Sequence, residues 1–257
     1  MSKLLGKRVL VTAGAQGIGQ AISRQLLQAG CDVAIHYHTS AEAAHALVAE
    51  GVALGRRAAA FAGDLTDTEG CEQLMREAVE FLGGLDILIN NAGSLIARRA
   101  FAEADDDFWA ETMSLNLGSL RRTTRAALTH LATAARAHGG ASIVNLSSLA
   151  GRKGGHGGSL AYATAKGAIL TFTRALATEV GPQGIRVNAL APGLILGTSF
   201  HNTHTTPEAA RATVATLPLG RAGTADDVAR AAVYLASEYD GFITGATLDI
   251  NGGAYAA

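Results

Sequence analysis

Apolar residues follow two alternating patterns along the chain, short continuous runs and longer stretches with helical spacing. The runs are KRVLVT (7–12), DVAIHY (32–37), AAAFAGD (58–64), LDILINNAG (85–93), ASIVNLSS (141–148), IRVNALAPG (185–193) and ATLDINGG (246–253). Such runs, bounded by turn residues, read as strands buried on both faces. Between the first two, Ile18, Ala21, Ile22, Leu26 and Ala29 make one helical stripe that ends at Gly30, a residue suited to the left-handed cap. Further helices are predicted over 41–54, over 68–82 with Gly83 and Gly84 as the stop, over about 105–137, and from Ala161 to Val180. The last helix begins at Thr224, where Thr224 and Asp227 have capping-box spacing. A loop of roughly twenty residues, 194–217, precedes it.

Strand–helix alternation with continuously apolar strands predicts a parallel sheet covered on both faces. Right-handed crossovers make it an α/β, doubly wound, Rossmann-like sheet of about seven strands. No linker, repeat or charge block interrupts the pattern, so one domain over 1–257 is expected. In such sheets ligands bind beyond the carboxyl ends of the strands, so the chemistry is sought in the loops that follow them.

Composition narrows the partners. A polypeptide of 257 residues, 48% of them apolar, is long enough to bury a full core. A net charge of −1 gives no electrostatic reason to expect nucleic acid. No apolar run approaches the ~18 residues of a membrane span, and the opening MSKLLGKRVLVT leads straight into a glycine turn, so it reads as a first strand and not a signal peptide. Cys31 and Cys71 make no disulfide framework and are expected as thiols in the cytoplasm.

The turn VTAGAQGIG (11–19) is the first candidate site. Gly17 and Gly19 lie between a strand and a helix, where missing Cβ atoms let backbone approach a pyrophosphate at the helix N-terminus. Ala13 stands where such turns usually have their first glycine. The expectation is that Ala13 keeps a negative φ and Gly14 takes any positive one.

Three further segments carry a resemblance: NNAG at 90–93, NLSS at 145–148 and YATAK at 162–166. In this order, with TAGAQGIG and APG at 191–193, they resemble the short-chain dehydrogenase/reductase family from about residue 5 to the C-terminal INGG. The resemblance implies an NAD(P) cofactor and a Ser-Tyr-Lys site assisted by an asparagine. Tyr162 and Lys166 match the Y-x-x-x-K pair, and Asn116 in SLNLG matches the asparagine of the long central helix. The family's serine usually lies thirteen residues before the tyrosine, which here is Leu149; Ser148, fourteen before, takes the role, with Ser147 as the rival. The residues support these roles physically. Tyr162 and Lys166, four apart, share a helix face. A nearby ammonium is expected to lower the phenol's pKa, letting it exchange a proton with an oxygen whose carbon exchanges hydride. Ser148 would hydrogen-bond that oxygen, Lys166 would hold the nicotinamide ribose, and Asn116 would hold a water linking Lys166 to solvent.

The resemblance also implies the cofactor set. Ala13, Gly14, Gln16, Gly17, Ile18 and Gly19 form the phosphate turn. Tyr37, His38, Thr39 and Ser40 end the second strand without an acid to grip a ribose diol, which favours NADP(H) over NAD(H). Asp64 and Leu65 match the adenine contact, and Asn91, Ala92 and Gly93 the turn under the adenosine ribose. Pro192 and Gly193 join this set, and Ile195 matches a backbone contact to the carboxamide.

For substrate, 194–217 matches the family's lid, and Arg98, Arg99, Arg152, Lys153 and His156 follow cleft-lining turns. If they face the cleft they favour a polar or carboxylated carbonyl compound, such as a keto-sugar acid, since arginine grips carboxylates bidentately. A 3-oxoacyl thioester or a sugar or polyol is the alternative, and a non-catalytic cofactor-binding sensor is the alternative of another class. His201 and His204 have no third ligand in view, so no metal is expected. By resemblance the protein forms a homotetramer, or else a homodimer.

Overall fold

The computed structural model describes residues 3–237 and 241–256. Seven parallel strands form one sheet in the order β3-β2-β1-β4-β5-β6-β7. They are β1 Arg8–Val11, β2 Asp32–Tyr37, β3 Ala58–Ala62, β4 Ile87–Asn90, β5 Ala141–Leu146, β6 Ile185–Pro192 and β7 Thr247–Ile250. The expected doubly wound sheet is therefore present. The polypeptide reverses its direction of travel across the sheet between β1 and β4, which pair through Val9–Ile87, Leu10–Leu88 and Val11–Ile89.

The continuously apolar strands feed two cores. Along β1, Val9 and Val11 turn to one face, where they join Ile22 and Leu26 of α1 (Gly17–Gln28), Leu47 of α2 (Ala41–Ala53) and Val228 of the helix 225–236. Leu10 turns to the other face with Leu74 of α3 (Thr68–Leu82), Leu131 and Leu176. Side chains alternate faces with a period of two, so both layers can be dry only if every position is apolar.

Helices α1 to α3 follow the expected bounds closely. The long central region is two helices, α4 (Asp106–Met113) and α5 (Ser119–His138), joined by a π turn at Ser114–Gly118. Ser148 caps a short helix, α6 (Leu149–Lys153), by accepting the Ala150 N–H, and α7 spans Leu160–Val180. The segment 194–217 is not the open loop expected. It folds as α8 (Ser199–His204) and α9 (Pro207–Thr216), started by the side chains of Thr198 and Thr206, which accept the N–H groups of His201 and Ala209. Those threonines, with proline at the first position of α9, are ordinary start signals. The last helix, α10 (Ala225–Ala236), carries the full Thr224–Asp227 capping box. Cys31 and Cys71 are buried free thiols. Among the described residues no helix is long and apolar enough to cross a membrane.

Candidate active site

The turn after β1 contradicts one expectation. Ala13 has φ 47° and Gly14 is not among the residues with positive φ. The left-handed conformation costs an alanine about 1 kcal/mol or more, and here both ends of the residue are held. The Ala13 N–H donates to His36 Nδ1 at 3.0 Å, and its C=O accepts from Asn91 Nδ2 at 3.0 Å. Gly14 is needed for space: a Cβ there would lie 2.8 Å from Ser23 Oγ and 2.9 Å from the Val11 carbonyl oxygen. Gly17 has φ 54° and opens α1. The first N–H groups of any α-helix have no intrahelical acceptor, so Gly17, Ile18 and Gly19 present an anion-binding end beside the sheet's reversal. Gln16 accepts a hydrogen bond from Ser40 Oγ at 3.2 Å, which joins the turn to the start of α2.

Ser148, Tyr162, Lys166 and Asn116 converge on one place. Ser148 follows β5 and lies close enough to the Tyr162 phenol to oppose the rise that burial imposes on it. Ser147 turns inward and donates to the Lys166 carbonyl at 2.7 Å. Tyr162 lies in the first turn of α7, and Lys166 one turn further has Nζ 5.7 Å from the Tyr162 ring centroid. The buried Lys166 ammonium donates to the Leu146 carbonyl at 2.9 Å. Asn116 lies in the π turn, a geometry frequent at functional sites. Its Nδ2 donates to the carbonyls of Ser94 and Thr112 at 2.8 and 2.9 Å, while Oδ1 is buried without a partner. A Cβ on Gly93 would lie 2.6 Å from that Oδ1 and 3.0 Å from Lys166 Nζ. Gly93 is therefore a cradle floor, and the unpartnered oxygen is an acceptor awaiting a water or hydroxyl.

The protonation states differ from the sequence reading. Burial pushes the Tyr162 phenol up to about 12, with Ser148 opposing it. Burial alone pulls Lys166 down to about 8. A charge costs more in a poorly hydrated site than in water, and burial is the largest influence on both groups. With that shift the Tyr162 phenol is protonated at neutral pH.

Around this centre, Phe200 of α8 packs at 5.7 Å from the Tyr162 ring and at 5.2 Å from His204. His201 Nδ1 meets Thr205 Oγ1 at 3.0 Å, and the ring also bonds the Gly193 backbone. Of the five basic residues, Arg98 ties the loop at Gly157 to the end of α8. It donates to the carbonyls of Gly157 at 3.1 Å and His204 at 3.4 Å. Arg99 is drawn away to Asp105 and the Phe108 ring, and Arg152 pairs with Asp249 at 3.0 Å. Lys153 and His156 are exposed. At the far end, His38 and Thr39 are exposed, Asp64 accepts the Thr66 N–H at 2.8 Å, and Leu65 is buried. Asn91 and Ala92 donate backbone N–H groups to Thr12 Oγ1. Ile195, after Pro192, is buried and bridges to Gly223.

Two residues escaped the sequence reading. Thr198, which caps α8, has its Cβ 3.5 Å from where a Cβ on Gly17 would lie, so its position is against the phosphate turn. His36 is buried in β2 and bonds the turn directly. Its signal was an imidazole inside an otherwise apolar run.

A parallel sheet reversing at a glycine turn, with a phenol and an ammonium beside that turn, defines a dinucleotide-dependent oxidoreductase. Residues 12–255 match the family model described as "Enoyl-(Acyl carrier protein) reductase". The 3-oxoacyl-[acyl-carrier-protein] reductase FabG of Pseudomonas aeruginosa is 37% identical over 98% of each sequence. The solved NADH-dependent reductase A1-R′ responsible for alginate metabolism superposes with a TM-score of 0.91 at 33% identity, covering 100% of both proteins. A short-chain dehydrogenase from Burkholderia cenocepacia in complex with NADP gives 0.90 at 36% identity, covering 99% of this protein and 100% of that one. The chain belongs to the short-chain dehydrogenase/reductase family, oxidoreductases that interconvert CH–OH and C=O groups.

Proposed function

We propose that this protein reduces a polar, carboxylated carbonyl compound such as a keto-sugar acid, with NADPH preferred over NADH. The observation that carries the substrate class is Arg98, whose guanidinium sits on two backbone carbonyls, with no acidic partner among the described residues. Burial, with a smaller contribution from Arg98, holds His201 and His204 below the ordinary imidazole range. The likeness to a reductase of alginate metabolism agrees with this reading. The NADPH preference rests on the end of β2, which offers hydroxyls and an imidazole and no carboxylate.

A dinucleotide held by the first turn of α1 would supply the hydride. Ser148 hydrogen-bonds the substrate oxygen, and Tyr162, protonated at neutral pH, gives that oxygen its proton. Lys166 and the free Oδ1 of Asn116 hold the water that returns a proton to the phenol. The segment 194–217 acts as a lid on one domain, with Phe200 shielding the phenol from water. The open edge of β7 and the exposed Phe101 suit assembly as a homotetramer in the cytoplasm. The second reading, a 3-oxoacyl thioester reductase, is favoured by the full-length likeness to FabG.

A panel of carbonyl substrates with NADPH and NADH, followed at the absorbance of the reduced cofactor, tests this. Keto-sugar acids with NADPH are expected to give the highest kcat/KM. Turnover confined to acyl thioesters would remove the substrate assignment, and a higher kcat/KM with NADH would remove the cofactor preference.

A further inference from the structure

We propose that His36 is a positioning residue for the dinucleotide, its neutral imidazole locking the phosphate turn to the adenine-side loop. The inference rests on the cofactor reading of the turn. His36 is 3% exposed, in the second strand, and it bonds on three sides. Its Nδ1 receives the Ala13 N–H at 3.0 Å, and its backbone C=O receives the Gly14 N–H at 2.8 Å. Its Nε2 meets the Gly63 C=O at 3.1 Å.

The partners fix the tautomer. A backbone N–H can only donate, so Nδ1 is the acceptor and carries no proton. A carbonyl can only accept, so Nε2 carries the proton. Both sites are filled only by the neutral ring. Two consequences follow. The N–H groups of Ala13 and Gly14 point at His36, so an incoming pyrophosphate must be met by the first turn of α1. In addition, the left-handed Ala13 is held by a side chain rather than allowed by a missing Cβ. A glycine at position 13 would need no such support. Histidine at 36 and alanine at 13 therefore form one device.

The titratable groups facing His36 are His38, just beyond its own strand, which opposes protonation, and Asp64 after β3, which favours it. The turn 12–19 carries no ionisable side group. Burial dominates and keeps the ring neutral well below its ordinary range, as the hydrogen bonds require.

The experiment measures NADPH and NADH dissociation constants by quenching of protein or cofactor fluorescence in wild type, His36→Phe, Ala13→Gly and the double variant, with the melting temperature of each. His36→Phe is expected to raise both constants about tenfold, the worth of one well-made buried bond. Ala13→Gly should recover most of the affinity in the His36→Phe background, since glycine takes the left-handed geometry without support. Unchanged affinity in His36→Phe, or no recovery in the double variant, would overturn the proposal. Should His36→Phe fail to fold, nitrogen-15 NMR of wild-type imidazoles decides. A ring protonated at Nε2 that stays neutral at pH 5 is expected, and titration near 6.5 or the opposite tautomer would refute the device. Wild type failing to bind either dinucleotide would instead refute the cofactor reading and leave the tautomer result standing.

Discussion

The turn after β1 and the segment of residues 94–99 with α8 are held differently. In the turn, Thr12 Oγ1 accepts two N–H groups, from Asn91 and Ala92, and His36 takes two more, from Ala13 and Gly14. In the other segment, Arg98 holds Gly157 and His204 by exposed bonds to their carbonyls, and Ile96 stands at φ 63° with its N–H bonded to Ser94 Oγ. A buried bond cannot be exchanged for one to water without loss, whereas an exposed one can. The turn after β1 is thus held by more enclosed bonds than Arg98, whose bonds are exposed to water.

Four measurements would break or sharpen this contrast. The largest effect is expected from Tyr162→Phe, which removes the proposed proton donor. Turnover should fall about a thousandfold while NADPH binding is retained, and a rate near wild type would mean that the phenol carries no proton. Next comes acid stability. The His36 ring, ordinarily near 6.5 and about 4 when folded, is neutral in the native state. The unfolded protein binds its proton first as pH falls, so its contribution is full above pH 6.5 and is lost between 6.5 and 4. The loss amounts to about 3 kcal/mol. Denaturant titrations should show that slope in wild type and not in His36→Phe. Third, Arg98→Ala should raise KM for a carboxylated substrate about tenfold and leave it unchanged for an uncharged aldehyde. Equal effects on both would remove the anion contact. The smallest is Ile96→Gly. A β-branched residue at positive φ is strained, so the melting curve should hold or improve by up to about 1 kcal/mol while KM rises about twofold. A clear loss of stability would show that Ile96 is packed and not strained.

Much of this was legible beforehand. The apolar runs named all seven strands, because strands buried on both faces are mostly apolar. Tyr162 and Lys166 were readable because four residues make one helical turn, and Ser148 stands apart from Ser147, which the structure turns inward onto the Lys166 carbonyl. The turn was misread at Ala13, since a rule about missing Cβ atoms has no knowledge of a histidine on the next strand that can hold an alanine in the same geometry. Arg99 and Arg152 were indistinguishable from Arg98 until their acidic partners, Asp105 and Asp249, were seen beside them.

The strand order along the chain, most of the helices and the turn that opens α1 are written in local spacing, and the family resemblance points to Tyr162 and Lys166. Only the tertiary structure decided which N–H groups remain for an anion, which arginines are drawn to acidic partners and which way Tyr162 titrates. Those depend on burial and on partners distant in sequence, as His36 is from Ala13 and Asp249 from Arg152. Desolvation and long-range pairing are properties of the assembled core, and no window of consecutive residues holds them.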